Sequence, residues 1–504
     1  METYPRRFWL FLGLLTLLRL AFIGRFELSP DEAYYWTWSR HLDWAYFDQG
    51  PLIALVIRFF TELVGSATEW SVRLGAVVLS TFSAVVFFDL LRRMFKSDRT
   101  AWLGFLAMQS ALLFNAGALL MMHDSVMMFF WIASLWAFYR TFFEPWVPGI
   151  YLGALALGMG ALAKYSMALF VPCLLLFLLI SPEHRIWWRR AHLYLAGCLT
   201  LLLISPLVIW NALHGSVSFG HIAVLGGAHT ALTFSFKTLG EYLSGQLGVM
   251  TPVLGALAWW APVFAWQIWK TDRNWGTRYL FLACFSAPVL FFFLLLSCRS
   301  SVYANWPAPA YVGALGILAQ AVQVADAKSS LPRWFRGAWI SGLCLTALVL
   351  LEVGFGVFPL TGVVANSVDR IRGWRALGQE TAERYRLLSA GRTAPFLAAR
   401  RYQIAAELSF YMPGQPEIQL LPKDEPARNQ YRFWDRRDQL EGQDALFVCE
   451  DGWEMDYART CFERLEELPV FQPAFHGRKL REIHFGYAQK LLPETPRTGF
   501  AEAF

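Results

Sequence analysis

The chain has 504 residues, of which 56% are hydrophobic and only 16% charged, and its mean hydropathy is +0.37. That composition excludes an ordinary soluble domain and indicates a polytopic membrane protein. The net charge of +6 is spread over short basic clusters, which argues against nucleic acid as a partner, and seven dispersed cysteines do not make a disulfide scaffold.

Arg6 and Arg7 ahead of an apolar run fit a signal peptide, but the run extends from Phe8 to about Ile23, with Arg19 inside it. No small-x-small cleavage site precedes the acidic stretch that follows, so the run reads as a retained first transmembrane helix. Crossing the hydrocarbon core takes about 17 to 25 apolar residues. Eleven such segments are expected near 8-24, 71-91, 101-119, 125-141, 149-163, 166-181, 191-210, 248-269, 278-297, 306-324 and 337-358. Short Gly-rich stretches around 101-163 leave room for tilted or broken helices there. Cys173, Cys198, Cys284, Cys298 and Cys344 lie in or beside these runs and read as packing residues.

Lys and Arg in the short loops set the orientation. With a cytoplasmic N-terminus, RRMFKSDR at 92-99, EHRIWWRR at 183-190, KTDRNWGTR at 270-278 and KSSLPRWFR at 328-336 all fall inside. The outer face then receives the acidic stretch 29-51, the MMHDS turn at 121-125, the AKYS turn at 163-166, the loop 211-247 and CRSSVYANWP at 298-307. Beyond about Pro359 the apolar runs end. Strand-like APFLAA (394-399), EIQLL (417-421) and ALFVCE (445-450) alternate with helical RYQIAAELSFY (401-411) and YARTCFERLEEL (457-468). A small extracytoplasmic α/β layer at 359-504 fits this pattern. Outside the cytoplasm a Cys449–Cys461 disulfide would contribute roughly 3 kcal/mol, the alternative being two unpaired thiols.

The chemistry gathers on the outer face. In SPDEAYYWTWSRHLDWAYFDQGP at 29-51, Asp31 and Glu32 follow closely on the first span, with Asp43 and Asp48 among Trp and Tyr. An interfacial amphipathic helix accounts for the aromatics, but an adjacent carboxylate pair held at a membrane surface points to function. His123 and Asp124 lie between two apolar spans, Lys164 sits in a Gly- and Ala-rich turn, and Arg299 follows another span. Such groups at membrane depth cost about 2.5 to 3.5 kcal/mol each, so a fold keeps several together when they pair or bind something. Carboxylates beside cations suit a reaction in which a nucleophile loses its proton while negative charge builds on a lipid phosphate held by Lys164 and Arg299. The plainer alternatives are snorkelling for the two cations and a helix cap for Asp124. The loop 211-247, with His214, His221 and His229, is long enough for a lid, and its histidine spacing matches no zinc pattern.

The stretches DEAYYWTWSRHLDWAYFDQGPLIA, the turn before Asp124, LAKYS, NALHGSVSF, SVYANWPAPAY and RYQIAAELSFYMPGQP together resemble the C-type-fold integral-membrane glycosyltransferases. Within these, the chain is similar to the bacterial protein mannosyltransferases and lipid A sugar transferases. The resemblance implies a polytopic α-helical transferase domain over 1-358 and a periplasmic α/β domain over 359-504, in the bacterial inner membrane. It implies Asp31 as base or acceptor-binding carboxylate, Glu32 beside it, and Asp124 as the second acid, orienting the acceptor or, in some members, a divalent metal shared with Asp31. No other cofactor is implied. Tyr34, Tyr35, Asp48, Gln49, His123, His214 and Tyr303 are the expected substrate contacts. Relatives carry a basic residue and two prolines where this chain has Gln49, Gly50 and Pro51, which offers a donor phosphate only a neutral hydrogen bond. The implied activity is inverting transfer from a polyprenyl-phosphate sugar to an envelope lipid, glycan or protein. The competing classes are a flippase for lipid-linked sugar and an inactive glycan-lipid-binding relative; clustering at one face and the lack of internal repeats count against the flippase.

Overall fold

The computed structural model describes residues 3–227, 233–358, 360, 362–391, 393–421 and 428–493. The chain divides into two compact units, one gathering Met1–Ile23, Gln49–Ile53 and Arg73–Leu351, the other Gly24–Asp48, Ala54–Val72 and Glu352–Phe504.

The first unit is entirely helical among its described residues, and all eleven expected spans fall on helices. Fewer of them are long, unbroken and apolar. Among the described residues five qualify, namely Glu69–Phe95, His123–Phe143, Ala191–Leu213, Arg273–Ser297 and Leu331–Phe355, or eight if three bent pairs each count as one. The run expected over 101-119 breaks between Asp98–Ser110 and Leu112–Leu119 with a bend of 73°. The run expected from 248 bends by 105° between Phe236–Met250 and Pro252–Thr271, with Thr251 at positive φ between them. Much of the loop expected over 211-247 is therefore helix, Val217–Leu225 and the start of Phe236–Met250; His229 lies outside the described residues.

Residues Ala308 to Val322 are buried without interruption, so the helix Ala308–Val324 runs through the centre of this unit. On Thr3–Phe22 the side chains of Leu10, Leu14, Leu17 and Leu18 are exposed, as are Leu201, Leu202 and Ile209 on Ala191–Leu213, an apolar surface suited to lipid. Small residues let helices approach closely: the helix Pro148–Ala163 packs on His123–Phe143, and a methyl group on Gly153 would come within 2.8 Å of the Phe138 ring.

The second unit is built on a five-stranded sheet of β1 (Phe396–Ala399), β2 (Gln419–Leu420), β3 (Ala445–Cys449), β4 (Phe462–Phe471) and β7 (Ile483–Leu491), ordered β2-β1-β3-β7-β4; β5 (Ala474–Phe475) and β6 (Arg478–Lys479) form a separate hairpin. Strand β1 pairs parallel with β2 and β3, while β7 runs antiparallel between β3 and β4. Every residue of β3 is buried, which explains its unbroken apolar sequence. The helix expected over 457-468 is half wrong: Gly452–Cys461 is helical, but FERLEEL is the start of edge strand β4, held by pairing with β7 that its charge-rich composition does not announce. Cys449 and Cys461 are not joined. Both lie in the apolar cluster around Phe447, Met455 and Phe462, and burial pushes the Cys449 thiol up to about 12, so it packs as an inert hydrophobe.

The tail does not form this unit by itself. The helix Pro30–Arg40 packs along Tyr402–Tyr411, with Trp36 edge-on to Phe410 at 5.0 Å and Tyr34 against Tyr402 at 4.6 Å. The Leu28 N–H donates to Tyr411 Oη at 2.7 Å and the Phe47 N–H to Gln430 Oε1 at 2.7 Å. The boundary expected at 359 thus misses that the first outer loop belongs with the tail.

Candidate active site

Two groups of polar and charged side chains stand out, one in each unit. In the second unit, Ser29 caps the helix Pro30–Arg40, Pro30 opens it with a preset φ, and Asp31 follows in the first turn. Glu32 closes a capping box: the Ser29 N–H donates to Glu32 Oε2 at 3.0 Å and the Glu32 N–H to Ser29 Oγ at 3.4 Å. Glu32 is fully buried in this cap, so the catalytic place expected for it beside Asp31 gives way to holding the helix start.

Asp31 stays partly exposed, and Tyr402 Oη donates to its Oδ1 at 3.3 Å. Burial holds its carboxyl above the usual range, opposed by the nearby Arg370 charge and by the Tyr402 hydrogen bond. Asp48 accepts from Tyr34 Oη at 2.8 Å, and Tyr34 Oη accepts in turn from the Gln430 N–H at 2.6 Å. Burial pushes Asp48 up to about 7, with the Tyr34 hydrogen bond acting downward and the Asp31 charge upward. The Tyr35 ring lies tilted against Tyr34 and edge-on to Trp38.

This arrangement sets a pH dependence. A carboxyl whose pKa is raised by folding keeps more protons folded than unfolded, so its contribution to stability is fully present below its ordinary pKa and is lost as pH rises through about 7. Asp48→Asn keeps an acceptor for Tyr34 and removes the titration. The variant should be more stable than the natural protein at pH 8 by on the order of 1–3 kcal/mol and no more stable near pH 4. Thermal unfolding in detergent at the two pH values checks this, and an unchanged difference between them would count against it.

In the first unit, Asp124 lies in the first turn of His123–Phe143, where a negative charge complements the helix dipole. Lys164 terminates Pro148–Ala163 in extended conformation (φ −151°, ψ 132°). Its Nζ donates to both Asp124 oxygens, at 2.7 and 2.9 Å, and Asn305 Nδ2 donates to Asp124 Oδ2 at 2.7 Å. Asn305 is the residue the sequence analysis passed over, although it stands in the quoted ANWP segment as a polar group before an apolar helix. Tyr303, expected to touch substrate, is 65% exposed and packs on Trp306. His123 is buried with Nδ1 donating to the Ala163 carbonyl at 2.9 Å, and His214 stacks on Trp210 while bonding its carbonyl at 2.7 Å. Arg299 does not join this group; its guanidinium reaches the Gly226 carbonyl at 3.4 Å.

With three hydrogen bonds from two donor groups, Lys164 Nζ and Asn305 Nδ2, the Asp124 oxygens are poorly placed to ligate a metal, and among the described residues no three His, Cys, Asp or Glu side chains gather as a metal site. Gln49 has a structural partner, accepting from the Tyr165 N–H at 3.0 Å, so the departure at Gln49-Gly50 ties this segment to the Lys164 turn. A methyl on Gly50 would collide with the Leu162 carbonyl. Gly50→Ala should therefore destabilise by about 1–3 kcal/mol, measurable by thermal unfolding. A cavity of about 250 Å³ is lined by Asp124, Asn305 and Arg19 together with apolar side chains.

Among solved structures, the ArnT protein of Cupriavidus metallidurans bound to undecaprenyl phosphate overlays with a TM-score of 0.64, at 18% identity, covering 94% of this chain and 97% of that one. The oligosaccharyltransferase AglB of Archaeoglobus fulgidus matches with a TM-score of 0.51 at 10% identity, covering 90% and 71%. The fold is that of the C-type membrane glycosyltransferases. Sequence comparison agrees with this C-type fold. The family of dolichyl-phosphate-mannose-protein mannosyltransferases matches residues 48–210. The lipid A galacturonosyltransferase RgtD of Rhizobium johnstonii is 28% identical over 289 residues, 57% of this chain and 59% of that protein. An undecaprenyl phosphate-alpha-4-amino-4-deoxy-L-arabinose arabinosyl transferase of Erwinia tasmaniensis is 24% identical over 396 residues, 72% and 65% of the two chains. The chain thus spans somewhat less than two thirds of either curated relative.

Proposed function

We propose that the chain is an inverting glycosyltransferase that moves a sugar from a polyprenyl-phosphate donor to an envelope lipid or glycan, with lipid A the first acceptor to test. The observation that carries this reading is Asp31, a carboxylate above its usual pKa range, partly open to solvent, with a single long hydrogen bond from Tyr402. A carboxylate in that condition is a stronger base than an ordinary one and keeps lone pairs for an acceptor hydroxyl. The relatives' names support the donor and acceptor classes: one acts on lipid A and the other uses an undecaprenyl-phosphate sugar.

In this mechanism Asp31 takes the acceptor's proton as its oxygen attacks the anomeric carbon, and the lipid phosphate departs from the opposite side. Lys164, with two N–H groups on Asp124, offers its third to the phosphate, while Asp124 and Asn305 hold the ammonium in place. Arg299 loses the phosphate role expected for it. The proposed orientation puts the N-terminus in the cytoplasm and the sheet-bearing unit in the periplasm.

The test is release of free polyprenyl phosphate from a panel of polyprenyl-phosphate sugars, using purified protein in lipid with envelope extract as acceptor. Release from one donor, dependent on Asp31, is expected and names the sugar. Release from no donor, with sugar-lipid crossing sealed vesicles, would move the protein to the flippase class.

A further inference from the structure

Arg19 has no part in the mechanism above, yet it is a buried cation with no ion pair among the described residues. It lies in the last turn of the helix Thr3–Phe22 and is 5% exposed. Its Nη2 donates to Gln109 Oε1 at 2.6 Å and Asn115 Oδ1 at 2.9 Å, both neutral amides. Its Nη1 is buried and has no hydrogen-bond partner among the described residues. Asp124 lines the same cavity but is already taken by Lys164 and Asn305.

A buried guanidinium without a counter-charge is costly in an apolar setting, and an ionisable group kept at such depth marks a binding function. The unpartnered Nη1 still carries two N–H donors, which suit an oxygen of a phosphate or carboxylate. The remaining wall is mostly apolar, with Met108, Leu113, Phe114, Met128 and Ile132 offering a surface for a hydrocarbon chain and three serine hydroxyls among them.

We propose that this cavity binds an amphipathic oxyanion, with Arg19 gripping the anionic group and the apolar wall covering the first part of its hydrocarbon chain. The choice of a lipid phosphate as the leading ligand rests on the transferase reading; the cavity and the free N–H do not. Arg19 is then a binding residue for the anionic head of the lipid substrate or of the released carrier.

Binding is measured by titration calorimetry on the full chain in non-ionic detergent, with no sugar donor present. The probes are a short-chain prenyl monophosphate, palmitate and inorganic phosphate. Saturable binding of the prenyl monophosphate is expected, weakened about tenfold or more in Arg19→Gln and by less in Arg19→Lys, which keeps the charge but not the fork. Palmitate bound with the same Arg19 dependence supports a general oxyanion site, and weaker palmitate binding assigns it to phosphate. Equal affinity in the natural protein and both variants, no saturable binding of any probe, or competition by inorganic phosphate as strong as by the prenyl ester would overturn the proposal. Arg19→Gln removes an uncompensated charge and should unfold at the same temperature or higher; should it not fold, Arg19→Lys carries the test. Transfer assays decide the transferase reading separately, since binding here is scored without turnover.

Discussion

Replacing Asp31 with Asn is expected to lower sugar transfer by about 10²–10⁴-fold, the usual worth of a positioned general base. The loss should appear in kcat, with donor binding nearly unchanged, because the amide keeps the shape and the Tyr402 contact but cannot take a proton. On the transferase reading the natural protein should also lose activity as pH falls, and at a higher pH than an ordinary carboxylate would give, because burial raises Asp31. Steady-state rates against pH for both proteins check this. Turnover like the natural protein's in Asp31→Asn would remove Asp31 from the chemistry and leave it as a recognition group.

The second large effect concerns Lys164. Its ammonium and the Asp124 carboxylate are 11% and 16% exposed, so neither has water enough to replace the other. Lys164→Met leaves Asp124 with the Asn305 amide as its remaining side-chain donor and should destabilise the first unit by about 3–5 kcal/mol, as breaking one partner of a buried pair commonly does. Adding Asp124→Asn removes the stranded charge, so the double variant should recover much of that loss. Denaturant unfolding of the two singles and the double forms the cycle; a double variant equal to the sum of its parts would show that the charges are not coupled.

The helices of the first unit are legible because each is a long apolar run, and that signal depends on composition alone. Their breaks are fainter: broken helices are expected around 101-163, but the bends at Ser110–Leu112 and at Thr251 are marked only by Gln109-Ser110 and Thr251-Pro252 inside longer runs. In the second unit, β1, β2 and β3 are readable as short apolar segments between turn residues. Strand β4 is not, since Glu463, Arg464, Glu466 and Glu467 are helix-forming residues in isolation and become strand only through β7. Asp31, Asp124 and Lys164 attract attention because charge at a membrane surface is costly. Asn305 is neutral and raises no such flag, and Glu32 looks like Asp31's equal until Ser29, three residues earlier, is seen to claim it. Arg19 was visible inside the first span, but only the cavity and its unpartnered N–H give it a purpose.

The pairing of Pro30–Arg40 with Tyr402–Tyr411 also bears on biosynthesis. The helix carrying Asp31 finds near neighbours in Tyr46 and Asp48, but its packing along Tyr402–Tyr411 and the bonds of Phe47 and Tyr34 to Gln430 wait until those residues have been made. Asp31 and Tyr402 are 371 residues apart, so at roughly 5–20 residues per second the segment waits on the order of tens of seconds for that partner. A chain stopped before Tyr402 would therefore carry most of the first unit's helices while its Asp31 helix lacked the face against which it packs.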